Sequence, residues 1–246
     1  CHIVCDTAQS IVSDTDTDGE VVYGIVATYR ARTLIVATGK QPRRLNVPGE
    51  QELFGRGVSY AGALNPENFR GRRCVVVGGG SSALDAVARL ASSDASHITL
   101  IHRRDTLSGE KVLEERIKNL VTPFLVLLNT QVSAIIGDDH VTGVRVKGEE
   151  GETAHDAGAI IVAIGFEPHS QHVAGVVDID PQGRITIDHA CRTSADGIFA
   201  AGDCTNVPYQ QIVISAGEGA KAALSAYRYL QEKDGKRVAQ VDWGYV

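Results

Sequence analysis

Gly78-Gly79-Gly80-Ser81-Ser82-Ala83 follows directly on an apolar run, residues 74–77, and opens a stretch of helical character. A second apolar run, residues 98–101, leads into His102-Arg103-Arg104. Strand, glycine turn, helix and strand in that order make a βαβ unit. Glycines at the turn let a pyrophosphate approach the backbone amides, and the positive end of the following helix favours its charge. In units that take NAD, an acid stands near the end of the second strand for the ribose hydroxyls. Two fixed positive charges in that place suit a 2′-phosphate instead. The GxGxxA spacing alone recurs by chance in glycine-rich loops. The strand before it, the helix after it and the arginines downstream together point to a nucleotide site.

The elements that must hold this site contain a repeat. Residues 33–42, Thr-Leu-Ile-Val-Ala-Thr-Gly-Lys-Gln-Pro, match residues 159–168, Ala-Ile-Ile-Val-Ala-Ile-Gly-Phe-Glu-Pro. Each copy is expected to be a buried strand ending in a glycine turn and a proline. A glycine turn at Gly78 precedes the second copy, whereas none occurs ahead of the first between Cys1 and Leu34. The chain is therefore expected to be a fragment without the front of its first nucleotide-binding domain, and its lack of methionine fits that expectation.

Between the copies, residues 110–120 place Leu113, Ile117 and Leu120 on one helical face. Residues 124–128, 132–136 and 141–146 read as strands, with turns at Gly137-Asp138-Asp139 and at 149–151. Residues 41–57, polar and rich in Pro, Gly and Arg, read as a linker. Residues 14–18 alternate Asp and Thr as in a solvated hairpin turn. From about residue 209 to 230 the pattern is helical, with Gly217 and Gly219 expected to permit close approach near its start. The fold class expected is α/β, with two Rossmann-like three-layer nucleotide-binding domains. One (56–163) is inserted in the other (1–55 and 164–246), through linkers at 47–50 and around 166–168 that would permit rotation.

Composition narrows the function. A hydrophobic fraction of 43% with 22% charged residues is that of a soluble globular protein. The net charge of −6 argues against a nucleic-acid surface. No apolar run approaches the roughly 20 residues needed to span a bilayer, and no signal peptide is visible. Cys1, Cys5, Cys74, Cys191 and Cys204 form no CxxC. An odd count without a framework is expected of a reducing, cytoplasmic setting. The histidines are scattered and none pairs with cysteine at ligand spacing, so no metal site is expected. Cys204 has no visible partner and reads as a structural thiol.

Ala37-Thr38-Gly39, Val47-Pro48-Gly49-Glu50, the glycine run at 78–83, His102-Arg103-Arg104 and residues 197–203 are co-linear with the motifs of one family. The chain resembles, over essentially its whole length, the low-molecular-weight thioredoxin reductases and the related flavoprotein component of alkyl hydroperoxide reductase. Residues 203–212, with Gly217-Glu218-Gly219-Ala220-Lys221, look especially like that flavoprotein. The resemblance implies that the inserted domain holds NADP(H), that the outer domain holds FAD, and that the inserted domain swings to bring nicotinamide to flavin. It also implies a homodimer. Carried over residue by residue, Gly78, Gly80, Ser81, Ser82 and Ala83 would hold the NADP pyrophosphate. His102, Arg103 and Arg104 would bind the 2′-phosphate end. Further cofactor contacts would come from Thr38, Gly39, Ile164 and Gly165. Gly202 and Asp203 would face the FAD ribityl and pyrophosphate, with Gln211 and Ile212 near the isoalloxazine.

The sequence departs from the family in two places. A further arginine is replaced by Ser108, which removes one cation from the choice of NADP over NAD. The redox Cys-x-x-Cys that would follow Tyr60 is absent, its positions filled by Ala61 and Leu64, and the acid after it by Asn65. Disulfide exchange needs a thiolate, which alanine and leucine do not offer. The function expected is an NADPH-dependent flavoprotein oxidoreductase that passes hydride to FAD and electrons to an unknown acceptor, a redox protein among the candidates, with no catalytic residue named. The intact protein is expected to hold FAD; the given residues lack the glycine turn for its pyrophosphate. Alternatives are a ferredoxin– or flavodoxin–NADP reductase of similar fold, and a non-catalytic NADPH-binding sensor or scaffold. Single residues keep two readings: Tyr60 near a cofactor or as a half-buried strand aromatic, His102 on phosphate or at the surface, Asp203 on a cofactor or capping a helix.

Overall fold

The computed structural model describes residues 2–14, 19–60 and 66–236. The chain forms two units, Cys1–Gln41 with Glu167–Val246, and Pro42–Phe166.

The first unit begins with an antiparallel meander, β1 (Ala8–Asp14), β2 (Gly19–Gly24) and β3 (Thr28–Ala31). The turn between β2 and β3 closes on the Asp6 carboxylate. It accepts hydrogen bonds from the amides of Ile25 and Val26 (both 3.0 Å) and Ala27 (3.1 Å), and from the Tyr29 hydroxyl (2.8 Å). Burial pushes the Asp6 carboxyl upward, but the Tyr29 and backbone hydrogen bonds outweigh it and hold the group down at about 2. Of the turn read at 14–18, residues 15–18 lie outside the described residues. Two short strands follow, β4 (Leu34–Val36) and β5 (Lys40–Pro42).

In the second unit, β6 (Val58–Ser59), β7 (Arg73–Val77), helix α1 (Ser81–Ala91), β8 (His97–Ile101), helix α2 (Lys111–Lys118) and β9 (Phe124–Leu127) come in order. After them come β10 (Gln131–Gly137), β11 (Val141–Gly148), β12 (Gly151–Asp156) and β13 (Ala159–Val162). A parallel sheet runs β6-β13-β7-β8-β9. The buried residues of its central strands β7, β8 and β13 are apolar except Thr99, because both faces are covered. On one face, Ala83, Leu84, Val87 and Leu90 of α1 pack with Val76, Leu100 and Ile161. On the other, Ile135, Val144 and Val146 of the antiparallel β10-β11-β12 sheet pack with Val75, Val77 and Ile160. The exposed, polar β12 begins at the last residue of the turn read at 149–151 and continues through residues to which the sequence assigns no element.

Residues 42–55 belong to this second unit, so residues 47–50 are not a linker. Leu53 is 1% exposed and shares a cluster with Val58 and Ile160. The Ile135 amide donates to the Pro48 carbonyl (2.8 Å). The chain changes unit after Gln41 and after Phe166; the second crossing falls at the linker read around 166–168, and the first lies ahead of the one read at 47–50, because buried Leu53 and the Pro48–Ile135 bond tie that segment to the second unit.

Beyond the second crossing lie β14 (Phe166–Pro168), which pairs with β5, then β15 (Ile198–Ala200) and helix α3 (Ile212–Lys233). β15 runs parallel to β4. The two repeat copies differ in burial. All of β13 is buried between β6 and β7. In β4 only Val36 is buried, Ile35 being 39% exposed, because β15 is its one neighbour among the described strands. Gly217 and Gly219 face open space, so the close approach expected there does not occur among the described residues.

Candidate functional site

In the second unit the carboxyl ends of β8, β7, β13 and β6 lie side by side. The chain leaves β7 to one side through β8 and returns to the other at β13, and such a reversal opens a crevice outside the strand ends. Gly78 sits in it with φ +147°, where a Cβ would be driven onto the Ala163 carbonyl. Its neighbours clamp the turn: the Gly78 amide donates to Ile101 (2.9 Å), and the Ala163 amide to Val77 (2.8 Å). Gly80 is the N-cap of α1 and supplies no side-chain cap bond. The first amides of a helix have no partner within it, so those of Ser81 and Ser82 face the crevice end of α1 as anion donors. The Ser81 hydroxyl accepts from the Glu110 amide (3.2 Å). Ala83, fully buried, seats the helix on the sheet.

At the end of β8, His102 is only 8% exposed, so the surface reading of this residue does not hold. Its ring fills the space a Cβ on Gly79 would need. Its Nε2 is buried without a hydrogen-bond partner among the described residues. Burial, then the charge of Arg104, lowers its pKa below the usual imidazole value. Arg103 and Arg104 are exposed and form no ion pair among the described residues. Ser108 folds back onto the glycine turn, its amide donating to the Gly79 carbonyl (2.7 Å). A cradle that a side chain would fill, an unpartnered buried imidazole nitrogen and two free guanidinium groups thus converge on one loop cluster. This is a fit for a dinucleotide that carries a phosphate on its adenosine ribose. Ile164 and Gly165 continue from β13 at the same edge, where the Gly165 carbonyl accepts from the Arg43 amide (3.0 Å).

Sequence reasoning missed Glu50. This carboxylate is 1% exposed and accepts from the amides of Leu45 (2.8 Å) and Asn46 (2.7 Å). Tyr60, half-buried just past β6, has its phenol near the same carboxylate, and burial together with this interaction pushes the phenol up to about 12. The Tyr60 ring lies against Phe54, with centroids 5.4 Å apart. The only hint in the sequence was an acid directly after Pro48-Gly49. Ala61, Leu64 and Asn65 lie outside the described residues; the sequence itself holds no cysteine between Cys5 and Cys74.

In the first unit, Thr38 and Gly39 follow β4, and Gly202 and Asp203 follow the parallel β15, so all four sit at carboxyl strand ends. The Thr38 hydroxyl donates to the His169 carbonyl, and the Gly39 carbonyl accepts from the His169 amide (2.9 Å). Asp203 accepts from the Ser215 hydroxyl (3.2 Å). It is not the cap of α3; that position is Gln211, which makes no side-chain cap bond, and Ile212 after it is 91% exposed. The Cys204 thiol is buried and donates to the Ala201 carbonyl (3.3 Å). Two carboxyl strand ends and a helix N-terminus without a side-chain cap thus lie in this unit. No strand–glycine-turn–helix unit like that at Gly78 occurs among the described residues of this unit.

Residues 3–233 match the family described as pyridine nucleotide-disulphide oxidoreductase. The chain is 39% identical over 206 residues to the alkyl hydroperoxide reductase F protein of Pseudomonas putida, covering 83% of this chain and 39% of that protein. It is 41% identical over 237 residues to thioredoxin reductase of Mycolicibacterium smegmatis, covering 93% of this chain and 75% of that protein. The solved thioredoxin reductase of Lactococcus lactis superposes with a TM-score of 0.74 at 30% identity, covering 92% of this chain and 75% of that one. The chain thus spans about two-fifths of the length of the Pseudomonas protein.

Proposed function

Since the chain belongs to the pyridine nucleotide-disulphide oxidoreductase family, we propose that it is an NADPH-dependent flavoprotein oxidoreductase whose electrons go to an acceptor other than a resident dithiol. The observation that carries this reading is the convergence of the glycine turn, buried His102 and exposed Arg103 and Arg104, without an ion pair among the described residues, at one sheet edge. Thioredoxin reductases use FAD and NADPH, and we assign the NADPH site to the second unit and the FAD-facing wall to the first.

In this reading, Gly78, Gly80, Ser81, Ser82 and Ala83 take the pyrophosphate, through backbone amides that no side chain crowds. Arg103 and Arg104 bind the 2′-phosphate by charge-assisted hydrogen bonds, and neutral His102 adds one ring nitrogen. Ile164 and Gly165 border the path onward. In the first unit, Thr38, Gly39, Gly202, Asp203, Gln211 and Ile212 would border FAD, which when bound supplies the hydride acceptor. The uncapped end of α3 would favour negative charge there. Positions 61 and 64 hold alanine and leucine and offer no thiolate for disulfide exchange, and a redox protein is the class of acceptor proposed. A cytoplasmic homodimer completes the reading.

The test is to titrate the protein with NADPH and, after loading with FAD, to measure NADPH oxidation with an artificial electron acceptor. Saturable binding and turnover are the expected results. No turnover with FAD fully bound refutes the oxidoreductase reading.

A further inference from the structure

We propose that Tyr60 forms the wall for the nicotinamide end of the dinucleotide and that Glu50 is the positioning residue that holds it there. The proposal rests on the second unit being the dinucleotide site and adds residues to it. The strand order runs β8-β7-β13-β6. Arg103 and Arg104 follow β8, and the glycine turn follows β7. A dinucleotide with its phosphorylated ribose at β8 and its pyrophosphate at β7 must send its other half past β13 toward β6. Neighbouring strands lie about 4.8 Å apart, so β6 is about 14 Å from β8 along the edge.

Tyr60 is the residue at that end. β6 pairs in parallel with β13, Val58 opposite Ile160 and Ser59 opposite Ile161, so Tyr60 emerges level with the last residue of β13. Tyr60 and Ile164 each pack against the same buried cluster, and Tyr60 stays partly exposed. Two contacts fix the ring, Phe54 on its face and the Glu50 carboxylate at its hydroxyl. Burying a carboxylate is costly unless hydrogen bonds satisfy it. Here Leu45 and Asn46 amides satisfy both oxygens, which fixes the carboxylate beside the Tyr60 hydroxyl. Without Glu50, Tyr60 would be an aromatic held only by partial packing at the end of a two-residue edge strand. A ring held at fixed orientation gives a planar nicotinamide a stacking surface.

The experiment compares NADPH with adenosine 2′,5′-bisphosphate, which carries the phosphorylated ribose but no nicotinamide, by calorimetric titration of the full chain. Tyr60→Ala is expected to weaken NADPH about tenfold, the scale of one aromatic stacking contact, and to leave the bisphosphate unchanged. Tyr60→Phe keeps every backbone bond to Glu50 and so keeps the fold. It should weaken NADPH alone, by a few-fold. Glu50→Gln should act in the same direction, and combining it with Tyr60→Phe should add nothing, because the two act through one contact. Unchanged NADPH binding in Tyr60→Ala, or equal weakening of both ligands, overturns the proposal. Wild-type protein that binds neither ligand overturns the dinucleotide reading itself and this proposal with it.

Discussion

Replacing Arg103 and Arg104 together by glutamine isolates the choice of nucleotide from the stability of the fold. Both guanidinium groups are exposed and lack an ion pair among the described residues. Their removal therefore breaks no ion pair among the described residues, and surface changes of this kind shift stability by about 0.5 kcal/mol or less. On a bound phosphate each forms a charge-assisted hydrogen bond worth about 1.5–3 kcal/mol. Groups open to water fall at the low end, about 1.5 kcal/mol or about tenfold in affinity. The two are adjacent and serve one phosphate, so their effects do not add fully, and a loss of about 30-fold is expected for the pair. NADH, without the 2′-phosphate, should bind the variant and the wild type alike. The assay is quenching or enhancement of nucleotide fluorescence on titration at low and moderate salt. The wild-type preference for NADPH should shrink as salt rises, since exposed charges are screened beyond about 10 Å at 0.1 M. Equal losses for NADPH and NADH in the variant, or a preference indifferent to salt, would refute the placement of the 2′-phosphate at the end of β8.

Three further outcomes test separate parts of the molecule. Gly79→Ala places a methyl group where the His102 ring lies; adenosine 2′,5′-bisphosphate binding should fall several-fold, and a variant that binds it as tightly as wild type argues against His102 at that end. Asp6 has its carboxyl at about 2, below the ordinary 3.8, so its contribution to the β2–β3 turn is fully present above about pH 4 and is lost as pH falls through about 2. Amide exchange of Ile25, Val26 and Ala27 should accelerate over that acid range in wild type, and Asp6→Asn should already exchange fast at neutral pH. Cys74 is pushed up to about 11 by burial, and Cys191 up to about 12 by burial and its hydrogen bond to Glu218. Native alkylation at pH 8 read by peptide mass mapping should therefore label exposed Cys5 and spare Cys74, Cys191 and buried Cys204.

What could be read from the sequence follows from how local each cause is. β7, β8 and β13 were legible because a strand covered on both faces is largely apolar along its length, as Cys74 to Val77 is throughout and Ile98 to Ile101 is but for Thr99. α2 was legible because Leu113, Ile117 and Leu120 recur at helical spacing and meet one cluster. β12 carries no such signal: its residues are mostly exposed, and β11 alone holds it. The segment 42–55 misled for the opposite reason, its composition being that of a loop while Leu53 is buried by partners outside it and Glu50 is buried under the amides of Leu45 and Asn46. His102 shows the same limit within the site. Arg103 and Arg104 declare themselves by charge and position, but the burial of His102 depends on a missing side chain at Gly79, a cause that lies in tertiary packing. Glu50 is the extreme case, since nothing in Val47-Pro48-Gly49-Glu50 names Tyr60 as its partner. The residues legible in sequence are those that would meet ligand charge directly. The residues hidden from it, Gly79 behind His102 and Glu50 behind Tyr60, are those that orient the side chains at the site, and they act only once the chain has folded.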